Sequence, residues 1–253
     1  MWRFAVSTLG MPGLPIREAA AVAAGHGCEG LEIRAHPDEE VHTGLSGRDV
    51  DRVRGEIADH GLVTACVAGY AKVCAPGPDE PVIAELRALI DLAHRLGAPS
   101  VRVFPGGHGE SRDRIGAVLD ELRAAGVRLL VETHDSHPTG EAAVRLVEPF
   151  GEPDLVAVLW DALHPWRHGE EPARTREVLG EYLGYFQVKD ADADLTPVAP
   201  GDGMVPLADC GDVLRAWSGW VSLEWEKAWY PQIAPVVEPL RAAATWFAEY
   251  SSR

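Results

Sequence analysis

The chain has 253 residues, 46% of them hydrophobic, with 39 acidic against 23 basic side chains and a formal net charge of −16. A field of that sign repels phosphate backbones and anionic lipid, which argues against nucleic acid and membrane surfaces as partners. The length supports one large core, and no Pro/Gly/Ser-rich linker or low-complexity tract interrupts it, so a single domain over residues 1–253 is expected.

Residues 1–6 (MWRFAV) enter a strand at once, without the charged and apolar regions of a signal peptide. No later run approaches the roughly 18–20 apolar residues of a spanning helix, so a soluble, cytoplasmic protein is expected. Short apolar runs follow at 3–8 (RFAVST), 29–34 (EGLEIR), 62–68 (LVTACVA) and 100–105 (SVRVFP). Four more lie at 127–133 (VRLLVET), 155–161 (LVAVLWD), 184–190 (GYFQVKD) and 220–226 (WVSLEWE).

Helical patterns separate the runs. Ser46-Gly47-Arg48-Asp49 opens one that ends at Gly61. Residues 79–96 place Val82, Ile83, Leu86, Leu89, Ile90, Ala93 and Leu96 at three- and four-residue steps, with Gly97 as the stop. Residues 111–125 read as another helix, with Ser111 as N-cap, and a last one covers about 232–250. The four cysteines (Cys28, Cys66, Cys74, Cys210) form no C-x-x-C pair and are expected as buried free thiols. Eight strands alternating with about eight helices predict a (β/α)8 TIM barrel. The rival, a doubly wound sheet, would prefer a Gly-rich first turn, and Thr8-Leu9-Gly10-Met11-Pro12-Gly13 is not G-x-G-x-x-G.

In a barrel, active-site groups lie at the C-terminal ends of strands. Strand five ends in Glu132-Thr133-His134, strand six in Asp161 with His164 three residues on, strand seven in Gln187-Val188-Lys189-Asp190, and strand eight in Glu224-Trp225-Glu226. Four successive strands thus offer an oxygen donor at one level: Glu132, Asp161, Gln187 and Glu224. Three carboxylates converging in a narrow mouth repel one another unless a cation or protons intervene. A divalent metal is the economical solution, and oxygen donors favour Mn²⁺ or Mg²⁺ over the softer Co²⁺ or Zn²⁺.

The order Glu132, then Asp161-Ala162-Leu163-His164, then Gln187-Val188-Lys189-Asp190, then Glu224 resembles the xylose-isomerase-like TIM-barrel superfamily of sugar isomerases and epimerases, across essentially the whole chain. The resemblance implies a 1,2-proton transfer next to a carbonyl, through an enediolate, with Glu132 and Glu224 as acid/base pair and metal ligands. It also implies that His164 holds a substrate hydroxyl or shuttles its proton. Lys189 either stabilises an oxyanion or pairs with Asp190 or Asp161. The partner is a small sugar-like molecule, with a homo-oligomer left open. A metal-dependent lyase or dehydratase sharing the first proton abstraction, and a non-catalytic barrel, are the alternatives.

Further expectations concern the rim. His134 and His137 are candidate substrate contacts, and Glu32 either supports the site or pairs with Arg34 or Arg102. Trp160, Trp166, Trp225 and Trp229 are candidates for an aromatic wall. The chain departs from the superfamily pattern at Gln187, where most members have histidine, and lacks the Arg-His-Glu-Pro-Gly stretch of the hydroxypyruvate-isomerase branch that shares the glutamine. The ketohexose epimerases have an additional glutamate and arginine where this chain has Pro138 and Ala193, which argues against free ketohexoses. The loop carrying Gly201 and Gly203 offers backbone N–H groups to a phosphate, but Asp202 opposes one.

Overall fold

All eight apolar runs become parallel strands of a closed barrel in the computed structural model, which describes residues 1–251. The strands are β1 (Trp2–Ser7), β2 (Gly30–Arg34), β3 (Val63–Lys72), β4 (Ser100–Phe104), β5 (Arg128–Glu132), β6 (Val156–Asp161), β7 (Leu183–Val188) and β8 (Gly219–Leu223). Neighbours in sequence are neighbours in the barrel, and β1 closes it against β8 through the register Trp2↔Gly219 to Val6↔Leu223. The fold is therefore the TIM barrel that the strand–helix alternation predicts.

Helices α1 (Ile16–Ala24), α2 (Gly47–Ala58) and α3 (Asp79–Leu96) follow the first three strands. Ser46 caps α2 by accepting the Asp49 N–H at 3.2 Å. In α3, Asp79 and Glu80 occupy the first turn and His94 and Arg95 the last, complementing the helix dipole. Gly97 ends α3 at φ 71°, a left-handed conformation that costs glycine little.

Two helical expectations need correction. Residues 111–125 form two short helices, α4 (Arg112–Gly116) and α5 (Leu119–Ala125), and the Ser111 side chain makes no capping bond. Gly116 weakens the helix, and the fully buried Val118 takes a non-helical conformation at the break. After α6 (Gly140–Val147), α7 (Leu163–Arg167), α8 (Pro172–Leu179) and α9 (Leu207–Leu214), the last helix α10 runs Val237–Ser251, starting later than position 232. Pro231 and Pro235 each lack an N–H and bias the preceding residue away from helix.

Period-two alternation sorts each strand into an outer and an inner face. Outward residues such as Leu129, Val131, Val158, Trp160, Phe186 and Val221 join the layer between barrel and helices. Inward residues Ala5, Ala65, Cys66, Leu130, Ala157, Leu159, Tyr185 and Trp220 form a separate cluster inside the barrel. A Cβ on Gly30 would lie 2.8 Å from Trp220 Cη2, so the absence of a side chain there lets the indole fill the lumen. One step further toward the C-terminal ends, the same inward phase carries Glu32, Arg102, Glu132, Asp161, Gln187 and Ser222, all at most 3% exposed.

All four cysteines are buried free thiols, as their spacing predicts. Among the described residues, no helix is long and apolar enough to cross a membrane.

Candidate metal centre at the barrel mouth

Glu132 closes β5, Asp161 closes β6, and Glu224 follows β8 directly, each two residues beyond an inward-facing side chain: Leu130, Leu159 and Ser222. One ligand oxygen from each lies within 4.8 Å of the others, and all three residues are buried. Asp161 is held from both sides. Its N–H donates to Thr133 Oγ1 at 3.0 Å, and its Oδ1 accepts the Leu163 N–H at 2.8 Å. That second bond starts α7 immediately after the strand. His164, the second residue of α7, then lies over the mouth, its ring 4.4 Å from that of His134. The D-x-x-H spacing thus places the histidine beside the triad. Glu132, His134 and His164 form a second group of ligand atoms within 4.8 Å, sharing Glu132 with the first.

Two cations are embedded among these acids. Lys189 Nζ lies 3.0 Å from Asp161 Oδ2, 2.6 Å from Glu224 Oε2 and 2.9 Å from Glu226 Oε1. Arg102, from β4, sets its Nε 3.1 Å from Glu132 Oε2 and donates to the Gly69 carbonyl at 3.2 Å. The Gln187 amide nitrogen donates to Glu32 Oε1 at 2.9 Å and to Glu224 Oε1 at 3.2 Å.

Burial and charge move the protonation equilibria in different directions. Burial lifts Glu132 well above the usual carboxylate range; Arg102 opposes the rise, while Glu224 and Asp161 add to it. Burial also lifts Asp161, to about 7, against the pull of Lys189. Burial acts on Glu224 in the same sense, but Lys189 and Arg102 outweigh it and hold that carboxyl below its ordinary value. Two glutamates facing one site are therefore biased apart. Burial lowers His134 to about 4 and holds His164 well below its ordinary value, with Lys189 adding to both, so both imidazoles are neutral. Lys189 stays charged because Asp161, Glu224 and Glu226 outweigh its own desolvation.

The donor set fits a divalent cation. Five acids (Glu32, Glu132, Asp161, Glu224, Glu226) surround two cations (Lys189, Arg102), so the excess acids must hold protons, as the raised Glu32, Glu132 and Asp161 do, and a divalent cation would take the place of those protons. Gln187 Oε1 and His164 Nε2 are buried without a hydrogen-bond partner, while Glu132 Oε2 has the Arg102 guanidinium beside it at 3.1 Å. Buried polar atoms are rarely left unpartnered except in a site that a ligand completes.

Several sequence expectations land elsewhere. Lys189 pairs with Asp161 and not with Asp190. Strand β7 stops at Val188, and a two-residue hairpin (Asp190–Ala191 with Pro197–Val198) carries Asp190 away from the mouth. Its carboxylate instead accepts the N–H groups of Ala191, Gly201, Gly203 and Val205 at 2.8–3.0 Å. The Gly201 and Gly203 amides offered to a phosphate by the sequence are thus spent on Asp190, and a Cβ on Gly203 would lie 2.2 Å from Asp190 Oδ1. Glu32 does not pair with Arg34, which binds Glu39 and the Tyr70 hydroxyl.

The expected tryptophan wall is mostly absent. Trp160 packs edge-on against Phe186 outside the barrel, and Trp225 is buried with its Nε1 donating to the Ala234 carbonyl. Trp166, on α7, is half-buried against the core, and Trp229 stays at the rim, 51% exposed, stacked with the Arg34 guanidinium. The aromatic contacts beside the site come from Tyr70 and Phe104, both near Arg102, with Phe104 4.6 Å from the His134 ring. Sequence reading missed Arg102 as a site residue, although "SVRVF" marks it: a charge in inward phase between two outward valines is a buried charge.

A family profile described as Xylose isomerase-like TIM barrel matches residues 20–250. No curated protein matches the chain. Among solved structures, the IOLI protein with a bound zinc atom superposes with a TM-score of 0.80 at 17% identity, covering 99% of this chain and 100% of that one. D-psicose 3-epimerase from Clostridium cellulolyticum H10, solved with D-tagatose, gives 0.78 at 16% identity, with 98% of each chain covered. The probable 3-DHS dehydratase AsbF from Bacillus anthracis gives 0.76 at 16%, covering 97% of this chain and 98% of that one. Identities this low speak for the shared barrel alone.

Proposed function

The chain belongs to the xylose isomerase-like TIM-barrel family, and from that premise we propose that it is a divalent-metal-dependent isomerase or epimerase of a sugar-like hydroxy-carbonyl compound. The observation that carries this reading is the convergence of Glu132, Asp161 and Glu224 ligand atoms within 4.8 Å in a buried mouth. With Gln187, these residues would hold the cation, and their oxygen donors favour Mn²⁺ or Mg²⁺. A bound cation supplies Lewis-acid stabilisation of oxyanion charge.

The residues' own work is proton transfer. Glu132 and Glu224 enter from β5 and β8 and are biased apart in acidity, as a donor–acceptor pair requires. In our assignment one removes the proton next to the carbonyl and the other returns it to the neighbouring carbon, or to the same carbon from the opposite face. His164, neutral and with a free buried Nε2, holds a substrate hydroxyl. Lys189 keeps Asp161 and Glu224 in place and brings a fixed positive charge beside developing oxyanion charge. The occupied amides of Gly201 and Gly203 support an unphosphorylated substrate.

A second reading, loss of water after the same proton abstraction, rests on the neutral His134–His164 pair beside Glu132. The imidazoles would position a departing hydroxyl, and Glu132, kept protonated by burial, would supply its proton while Glu224 takes the one next to the carbonyl. The dehydratase AsbF among the structural neighbours belongs with it. One experiment tests both. Purified chain with Mn²⁺ is incubated in D₂O with a panel of ketoses, aldoses and 2-oxo acids and followed by NMR. Deuterium at a carbon next to the carbonyl, with an isomer as product, supports the isomerase. A product short of one water selects the dehydratase, and absence of chelator-sensitive exchange across the panel counts against both.

A further inference from the structure

We infer that the barrel mouth carries a second cation site, formed by Glu132, His134 and His164, which takes a borderline metal such as Zn²⁺. It lies beside the position assigned above to Mn²⁺ or Mg²⁺ and shares Glu132 with it, but its donor chemistry is different.

Strand geometry builds the site. Glu132 and His134 are two residues apart, so both face the mouth, while Thr133 between them accepts the Asp161 N–H. The chain then reverses. Asp135 takes a left-handed φ of 46°, and the His137 N–H donates to the His134 carbonyl at 2.9 Å. His134 and His137 pair there as an isolated antiparallel bridge. A non-glycine residue seldom adopts that φ, and here the turn leaves His134 at the rim beside Glu132. His164 arrives from the start of α7, and one ligand atom from each of the three residues lies within 4.8 Å of the others. His164 is only 9% exposed, and its Nε2 is buried without a partner. A ring nitrogen left bare in this way is what a ligand completes.

Two imidazole nitrogens and one carboxylate oxygen suit Zn²⁺ and leave a fourth tetrahedral position open. Glu132, Asp161 and Glu224 offer oxygen alone, which suits harder ions. With metal–nitrogen bonds of about 2.1 Å, two imidazoles at right angles on one ion have ring centres roughly 4.5 Å apart. The His134 and His164 centres lie 4.4 Å apart. A carboxylate has about four lone-pair directions, so Glu132 can serve both sets and still meet Arg102. Charge also allows two ions. Asp135 Oδ1, 2.8 Å from His134 Nδ1, adds a sixth acid to the five at the mouth. Against Lys189 and Arg102, six acids leave a deficit that two divalent ions balance once the carboxyl protons depart. With the site filled, the ion would carry the substrate hydroxyl that His164 otherwise meets directly.

The test is metal content. Metal-stripped chain is saturated with Zn²⁺, freed of excess by gel filtration, and its bound metal counted by elemental analysis. The native chain should retain about two Zn²⁺, while His134→Ala, His164→Ala and Asp161→Asn should each retain about one. Combining Asp161→Asn with His134→Ala should leave none. With Co²⁺ as the probe, Asp161→Asn should show the strong visible absorption of a four-coordinate, nitrogen-ligated ion, and His164→Ala in that background should abolish it. A single ion, lost in Asp161→Asn and unmoved by His134→Ala, overturns the inference and leaves the metal reading above standing. Two ions that both survive the loss of either histidine overturn it as well. A single ion lost with either histidine and kept by Asp161→Asn supports this site and sinks the three-carboxylate reading. No bound ion sinks both. Should the alanine variants fail to fold, as judged by near-UV circular dichroism, side-chain nitrogen NMR of the native chain decides. The signals of two imidazoles should shift as Zn²⁺ binds, and unshifted signals overturn the inference.

Discussion

Two layers fill the interior of the barrel, two residues apart on the same strands. The lower one (Ala5, Ala65, Leu130, Ala157, Leu159, Tyr185, Trp220) is almost wholly apolar. The upper one (Glu32, Arg102, Glu132, Asp161, Gln187, Glu224) is almost wholly ionisable. Both are equally dry, yet they oppose each other in energy. Each large apolar side chain in the lower layer contributes roughly 1.5–3 kcal/mol by leaving water. Charges in the upper layer cost several kcal/mol each in lost hydration, recovered only in part by pairing. The lower plug therefore stabilises a barrel whose mouth is destabilising by design, and the two layers should respond differently to substitution.

The largest effect is expected at the mouth. Glu132→Gln should cut substrate deuterium exchange by about 10²–10⁴-fold while leaving the thermal midpoint at or above that of the native chain, because it removes one of several crowded acids. A variant that exchanges normally would break the acid/base assignment; one that unfolds would break the contrast between layers. Leu130→Ala, two residues earlier on the same strand, should do the reverse. Denaturant unfolding should show a loss of about 2–5 kcal/mol, with exchange per folded molecule little changed.

Metal should reverse part of the cost of the upper layer. At one hundred times its dissociation constant, Mn²⁺ should add about 2.7 kcal/mol of stability, visible as a raised midpoint in a thermal scan and absent in Asp161→Asn. The smallest effect is expected outside both layers. Asp190→Ala frees four backbone N–H groups of a partly exposed loop, so about 1–3 kcal/mol and faster proteolysis within residues 199–205 are expected, with Mn²⁺ affinity unchanged. A fall in Mn²⁺ affinity would instead tie Asp190 to the metal through Lys189.

The barrel and the identity of its carboxylates were legible in the linear chain because both are local. Alternation at period two sets the phase of each strand, and that phase runs unbroken from Leu130 to Glu132 and from Leu159 to Asp161. Punctuation was legible for the same reason, at Ser46 and at Gly97. Local pattern also located Lys189, but it could not choose among the acids within reach, and proximity in sequence wrongly suggested Asp190. The hairpin that removes Asp190 is a tertiary decision, made by the four amides that take its carboxylate.

Contacts across the lumen were beyond the sequence altogether. Glu32 meets Gln187 over a separation of 155 residues, and Arg102 on β4 meets Glu132 on the adjacent β5 and Glu224 across the lumen. Local pattern tells each side chain to point inward. Which inward side chains touch depends on the tilt and stagger of eight closed strands, which no single strand contains. The chain by itself thus determined the fold, the phase of each strand and the acids of the mouth. Tertiary closure decided how those acids are paired, which of them resist ionisation, and which way the Gln187 amide turns.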